Sequence, residues 1–130
     1  MNLKEVISCF QSFELFVESN CDAGIEIDKI CTDTRRLAAN DLFIAIEGHS
    51  ISVPYQLKLI DDLSARPQAV IVDQRSYCSN LEPNQPFILV KDCRAAWSCL
   101  EAAKQGFKTQ DFKITGITGT NGKTLSLIHI

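Results

Sequence analysis

The sequence predicts an α/β fold: a small domain of alternating strands and helices, then the first strand and phosphate-binding loop of a truncated second domain. Three observations predict it. Short apolar runs rich in β-branched residues alternate with segments whose apolar residues recur at helical spacing. The chain has 130 residues, 45% hydrophobic and 22% charged, enough for one proper core and little else. A glycine-rich turn, Gly116-Ile-Thr-Gly-Thr-Asn-Gly-Lys-Thr124, directly follows the last apolar run.

The elements follow in order. Asn2 to Phe16 places Leu3, Val6, Ile7, Phe10, Phe13 and Phe16 at helical spacing with Asn2 as cap, which predicts an amphipathic helix. Ile25 to Ile30 alternates apolar and polar residues, the pattern of a half-buried strand, and leads into the polar turn Thr32 to Arg36. Asp41 to Ile46 is a nearly continuous apolar strand that ends at Gly48-His49-Ser50. A helix is predicted from about Pro54 to Ala65, with proline tolerated in its first turn. Ala69 to Val72 and Phe87 to Val90 read as buried strands, with Ser79 to Pro86 as loop. Cys93 to Gln105 reads as a helix stopped by Gly106, and Ile114 to Thr118 as the last strand.

The polar stretch Lys108 to Lys113 is the one candidate boundary, which gives a first domain over 1–108 and the start of a second over 109–124. A net charge of −3 and a pI near 5.3 argue against a nucleic-acid binder or an anionic-membrane binder. No charged leader or apolar run long enough for a membrane span is present, so the chain reads as cytoplasmic. The six cysteines include no C-x-x-C pair, several lie in apolar runs, and reduced thiols are expected.

The terminal turn carries the clearest chemistry. Glycines let backbone N–H groups curl around a polyphosphate, Lys123 neutralises it, and the Thr124 hydroxyl can ligate Mg²⁺. The general phosphate-loop pattern requires glycine at position 117, where this chain has Ile117. Instead Gly116 and Gly119 stand three apart, and Gly119-Thr120-Asn121-Gly122-Lys123-Thr124 follows. A plain glycine-rich hairpin is the alternative for these residues.

This segment resembles the ATP-binding loop of the Mur ligases, which build the peptide stem of the bacterial wall precursor and carry this glycine spacing. A second motif agrees: Thr32-Asp33-Thr34-Arg35-Arg36-Leu37, then Asp41-Leu42-Phe43-Ile44-Ala45 and Gly48-His49. It is similar to the signature in the N-terminal domain of the tripeptide-forming branch of that family, and Thr120-Asn121 favours the same branch. The resemblance implies a domain that binds the uridine diphosphate end of a UDP-N-acetylmuramoyl-peptide through Thr32, Thr34, His49, Ser50 and Ile51. The Thr34 hydroxyl and the His49 imidazole suit uracil or pyrophosphate; a solvated loop histidine is the alternative for His49. Asp33 and Arg36 read as turn-forming and surface residues, and Arg35 as orienting the binding loop.

By the same resemblance, Gly119, Thr120, Asn121, Gly122, Lys123 and Thr124 hold ATP, with Thr124 on Mg²⁺. The parent enzyme would be a monomeric, ATP-dependent ligase adding the third amino acid to the UDP-linked dipeptide. The chain alone would be inactive, with no complete catalytic set. A non-catalytic nucleotide-sugar module and an unrelated phosphate-loop protein are the alternatives. Two features depart from the family. Asn40 replaces the usual glycine before Asp41, which predicts a turn with Asn40 in a left-handed backbone. Ile51-Ser52-Val53 replaces the usual Asp-Gly pair after the Gly-His segment. Residues 125–130, Leu-Ser-Leu-Ile-His-Ile, are expected to be a translated adapter-derived tail; a divergent helix start is the alternative.

Overall fold

The computed structural model of the chain describes residues 1–22, 24–48, 51–63 and 66–105. The last predicted strand, the Gly119–Thr124 loop, the proposed boundary, residues 125–130, His49 and Ser50 all lie outside the described residues. The described chain folds in the order α1 (Leu3–Ser12), β1 (Phe16–Ser19), β2 (Ile30–Cys31), a 3₁₀ turn (Thr34–Arg36), β3 (Leu42–Ile44), α2 (Val53–Asp61), β4 (Ala69–Val72), α3 (Arg75–Cys78), β5 (Phe87–Val90) and α4 (Cys93–Lys104).

The five strands form one mixed sheet in the order β1-β5-β4-β3-β2. The β2–β3, β3–β4 and β4–β5 pairs are parallel, with Phe43 opposite Val70 and Ile71 opposite Ile88. β1 closes one edge antiparallel to β5, with a register shift between Phe16 and Glu18. Parallel strands covered on both faces need apolar residues at successive positions, which accounts for the continuous runs in β3, β4 and β5.

Alternation sorts those runs into two core layers. Leu42, Ile44, Ala69, Ile71, Ile88 and Val90 pack with α1 and α4 through Leu3, Val6, Phe10, Ala96 and Leu100. Phe43, Ala45, Val70, Val72 and Leu89 pack on the other face against Val53, Leu57 and Ile60 of α2.

Several predicted elements are corrected. Phe13 to Phe16 do not continue the first helix. α1 ends in a Schellman cap, in which Leu15 N–H donates to Phe10 O at 2.8 Å and Glu14 N–H to Gln11 O at 3.1 Å. Glu14 holds the left-handed position (φ 58°) where glycine is usual, so the sequence carries no stop signal there. Phe16 belongs to β1, which the helical pattern concealed.

The Ile25–Ile30 alternation is real in burial, but this stretch pairs mainly with the N-terminus, through Leu3 N–H to Ile25 O and Ile27 N–H to Met1 O, both 2.9 Å. The sheet strand is Ile30–Cys31. α2 is shorter than predicted, capped by Ser52, whose Oγ accepts from Tyr55 N–H. Asn40 is not left-handed: the described non-glycine residue with positive φ is Glu14 alone. The turn is held instead by Asp41, 1% exposed, whose Oδ2 accepts from Ala38 N–H at 2.9 Å and faces Lys29 Nζ at 3.7 Å.

The reduced-thiol expectation is also corrected. Cys9 of α1 and Cys99 of α4 meet as a disulfide across 90 residues of sequence, while Cys21, Cys31, Cys78 and Cys93 are free. Among the described residues no helix is long and apolar enough to cross a membrane.

Candidate functional site

Parallel strands of an open α/β sheet place loops, and usually ligands, at their carboxyl ends. Beyond β2 and β3 here lies an open cavity of about 270 Å³, lined by Thr32, Asp33, Thr34, Arg35, Ile46, Gly48, Ile51 and Gln56. It thus collects two segments well apart in sequence: the turn after β2 and the loop between β3 and α2.

The first wall is built by Asp33. Its Oδ1 caps the 3₁₀ turn by accepting from Arg35 N–H at 2.9 Å. The Arg35 guanidinium then folds back, with Nε donating to Oδ1 at 3.1 Å and Nη2 to Oδ2 at 2.9 Å. These bonds, chiefly that from the Arg35 side chain, hold the Asp33 carboxyl below its ordinary range and raise the guanidinium's affinity for its proton. Cys31 Sγ donates to Asp33 O at 3.0 Å, anchoring the turn to the sheet. The net result presents half-buried Thr32 and Thr34 to the cavity beside a fixed guanidinium. The ion pair is exposed, the Arg35 side chain at 86%, so it costs little to exchange for another anion.

The second wall depends on Gln56, 7% exposed on the buried face of α2. Its Nε2 donates to Ile46 O at 2.8 Å and to Ile51 O at 3.4 Å, tying together the two described ends of the loop. Gly48 N–H also donates to Ile51 O, at 3.2 Å. Glu47 Oε2 accepts from Val53 N–H at 3.0 Å, and Arg94 Nη2 of α4 donates to Glu47 O at 3.1 Å. Gln56 Oε1 is buried without a partner among the described residues.

The cavity therefore brings together Thr32, Thr34 and Ile51 of the sequence-predicted site residues, with Arg35 beside them. His49 and Ser50 fall between Gly48 and Ile51, outside the described residues, as do Gly119, Thr120, Asn121, Gly122, Lys123 and Thr124.

No family model matches the chain. Curated proteins do. The chain is 33% identical over 131 residues to the UDP-N-acetylmuramoyl-L-alanyl-D-glutamate--2,6-diaminopimelate ligase of Clostridium tetani, an alignment covering all of this chain and 26% of that protein. Proteins of the same name from Listeria monocytogenes and Parabacteroides distasonis are 35% and 30% identical over 124 residues, 95% of this chain and 23% and 24% of theirs. The chain is a homologue of these Mur ligases. It spans about a quarter of the length of the curated relatives it matches.

In this Mur ligase homologue, sequence reading missed Gln56, Ile46, Glu47 and Arg94 as site-building residues. A signal existed for Gln56: it is a polar residue at an apolar position of the Val53, Leu57, Ile60 helical face. Arg94 reaches Glu47 across 47 positions, which no local pattern reports.

Proposed function

We propose that this chain carries the domain that binds the UDP end of UDP-N-acetylmuramoyl-dipeptide in an ATP-dependent, cytoplasmic ligase of peptidoglycan precursor synthesis. The observation that carries the reading is the cavity beyond β2 and β3, which joins the Asp33-Thr34-Arg35 turn to the loop after β3. Its volume, about 270 Å³, suits a nucleoside-sized group rather than the whole substrate. Thr32 and Thr34 offer hydroxyls for uracil or ribose, Ile46 and Ile51 offer apolar flanks, and the Arg35 guanidinium suits pyrophosphate. His49 and Ser50 join this set in the proposal. The relatives are named for action on a UDP-N-acetylmuramoyl peptide, which supports the substrate class.

The proposed domain is residues 1–108, followed over 109–124 by the start of the ATP-binding domain. There the backbone N–H groups of Gly119, Thr120, Asn121 and Gly122 and the charge of Lys123 would hold the β- and γ-phosphates. The donor set fits a Mg²⁺–nucleotide, with the Thr124 hydroxyl as a ligand; the ion would neutralise charge on the transferred phosphoryl group. In the whole monomeric ligase, the substrate carboxylate takes the phosphoryl group and the incoming amine then displaces phosphate, closing the amide bond. The chain alone would bind UDP without turnover, and ATP weakly or not at all.

Calorimetric titration of the chain with UDP tests this. UDP is expected to bind at one site, and Thr34→Ala is expected to weaken it about tenfold, the worth of one hydrogen bond, with melting unchanged. Absence of UDP binding, or equal affinity in Thr34→Ala, would overturn the assignment. ATP binding without UDP binding would instead favour an unrelated phosphate-loop protein.

A further inference from the structure

Cys9 and Cys99 are the one cysteine pair that the described fold brings together, and they join α1 to α4 across 90 residues of sequence. The surroundings suit two oxidation states. For the dithiol, each Sγ has the backbone carbonyl of the other residue at 3.7 Å, so both thiols have a weak hydrogen-bond acceptor waiting. For the disulfide, the two sulfurs meet as a bonded pair with α1 and α4 already in place. Both helices pack on the same core layer, which keeps the sulfurs facing each other in either state.

We propose that Cys9 and Cys99 form a reversible dithiol–disulfide site, responsive to small-molecule disulfides, that clamps α1 to α4. Access sets the order of events. Cys9 is half-buried whereas Cys99 is 7% exposed, so the external oxidant meets Cys9 first. The Cys9 thiol gives its proton to water, and the thiolate attacks one sulfur of an oxidised glutathione. That S–S bond breaks, and one glutathione leaves as thiolate and takes up a proton. The Cys99 thiolate, formed in the same way, attacks the Cys9 sulfur of the mixed disulfide. The Cys9–Cys99 bond forms and the second glutathione leaves, so two protein thiols are oxidised and one small disulfide is reduced to two thiols.

The other cysteines do not compete. Burial pushes the Cys21, Cys78 and Cys93 thiols up, which suppresses their reactive thiolate forms near neutral pH. Buried Cys31 donates its S–H to Asp33 O. This proposal does not depend on the nucleotide-site reading.

The test equilibrates the full chain in glutathione buffers of graded redox ratio, quenches with acid, alkylates under denaturing conditions with N-ethylmaleimide and reads intact mass. With six cysteines, the reduced chain is expected to take six adducts and the oxidised chain four, six minus the bonded two. Peptide mapping is expected to find Cys9 joined to Cys99, and dithiothreitol to restore six adducts. Closing so long a loop is expected to raise Tm by about 10 °C. Cys9→Ser is expected to take five adducts at every ratio, with no Tm shift on oxidation; its half-exposed position makes it a mild change to the fold. Six adducts at all ratios, a different bonded pair, retained glutathione on Cys9, or a Tm shift that persists in Cys9→Ser would each overturn the proposal.

Discussion

Replacing Gln56 by glutamate changes one atom of the side chain and reverses its role at the loop. In the native chain Nε2 donates to Ile46 O and Ile51 O from a position 7% exposed. A carboxylate there would point negative oxygen at two carbonyl oxygens and, being buried, would lose much of its hydration. Desolvation and these like dipoles raise the folded-state pKa of the introduced carboxyl above its unfolded value, so it folds most easily when protonated. The stability deficit is therefore smallest at or below the unfolded value, about pH 4. It grows by about 1.4 kcal/mol per pH unit until the folded-state value is passed.

A shift of two units gives a deficit of about 3 kcal/mol at pH 8, which lowers Tm by about 10–20 °C for a domain of this size. Gln56→Met supplies the control. It loses the same two donated bonds but also removes the unpartnered Oε1, so its cost should stay near 1 kcal/mol at every pH. Urea unfolding of both variants at pH 5 and pH 8 measures the difference. If Gln56→Glu loses no more than Gln56→Met at pH 8, or loses the same amount at both pH values, the clamp between Ile46 and Ile51 does not exist as described.

Other outcomes follow from separate parts of the fold. Glu14 occupies a left-handed position that suits glycine, so Glu14→Gly should stabilise by up to about 1 kcal/mol, read as a higher urea midpoint with unchanged slope. Leu100 is fully buried between α4 and the sheet, and Leu100→Ala should cost about 2–5 kcal/mol in the same assay. The Asp33 carboxyl, held low by Arg35, contributes stability above its unfolded pKa that is lost as pH falls through its folded value. An NMR titration should place its midpoint below that of an ordinary aspartate, and Arg35→Ala should return it upward. A midpoint that stays put in Arg35→Ala would remove the ion pair as the cause.

The legible parts of this fold were those where local pattern and tertiary role coincide. β4 and β5 stand out because both faces of the sheet are covered, so every position is apolar and turn residues bracket the run. β1 was illegible because Phe13 and Phe16 extend the helical spacing of α1, and the chain reverses at Glu14 without glycine or proline. β2 was displaced because Ile25 and Ile27 alternate correctly but pair with residues 1–3 rather than with the sheet.

At the site, the Asp33-Thr34-Arg35 turn carried its own chemistry in sequence, since Asp33 caps and pairs within two residues. The Gln56 clamp and the Arg94 contact arise only once α2 and α4 are packed on the sheet. The Cys9–Cys99 pairing is of the same kind, joining residues that no local spacing connects.

Amide shifts in the ¹H–¹⁵N spectrum of the chain, followed as UDP is added, test the nucleotide-site reading most directly. The largest shifts are expected at Thr32, Asp33, Thr34, Arg35, Gly48 and Ile51, the backbone around the cavity beyond β2 and β3. Shifts that cluster elsewhere, or no shifts at millimolar UDP, would contradict it.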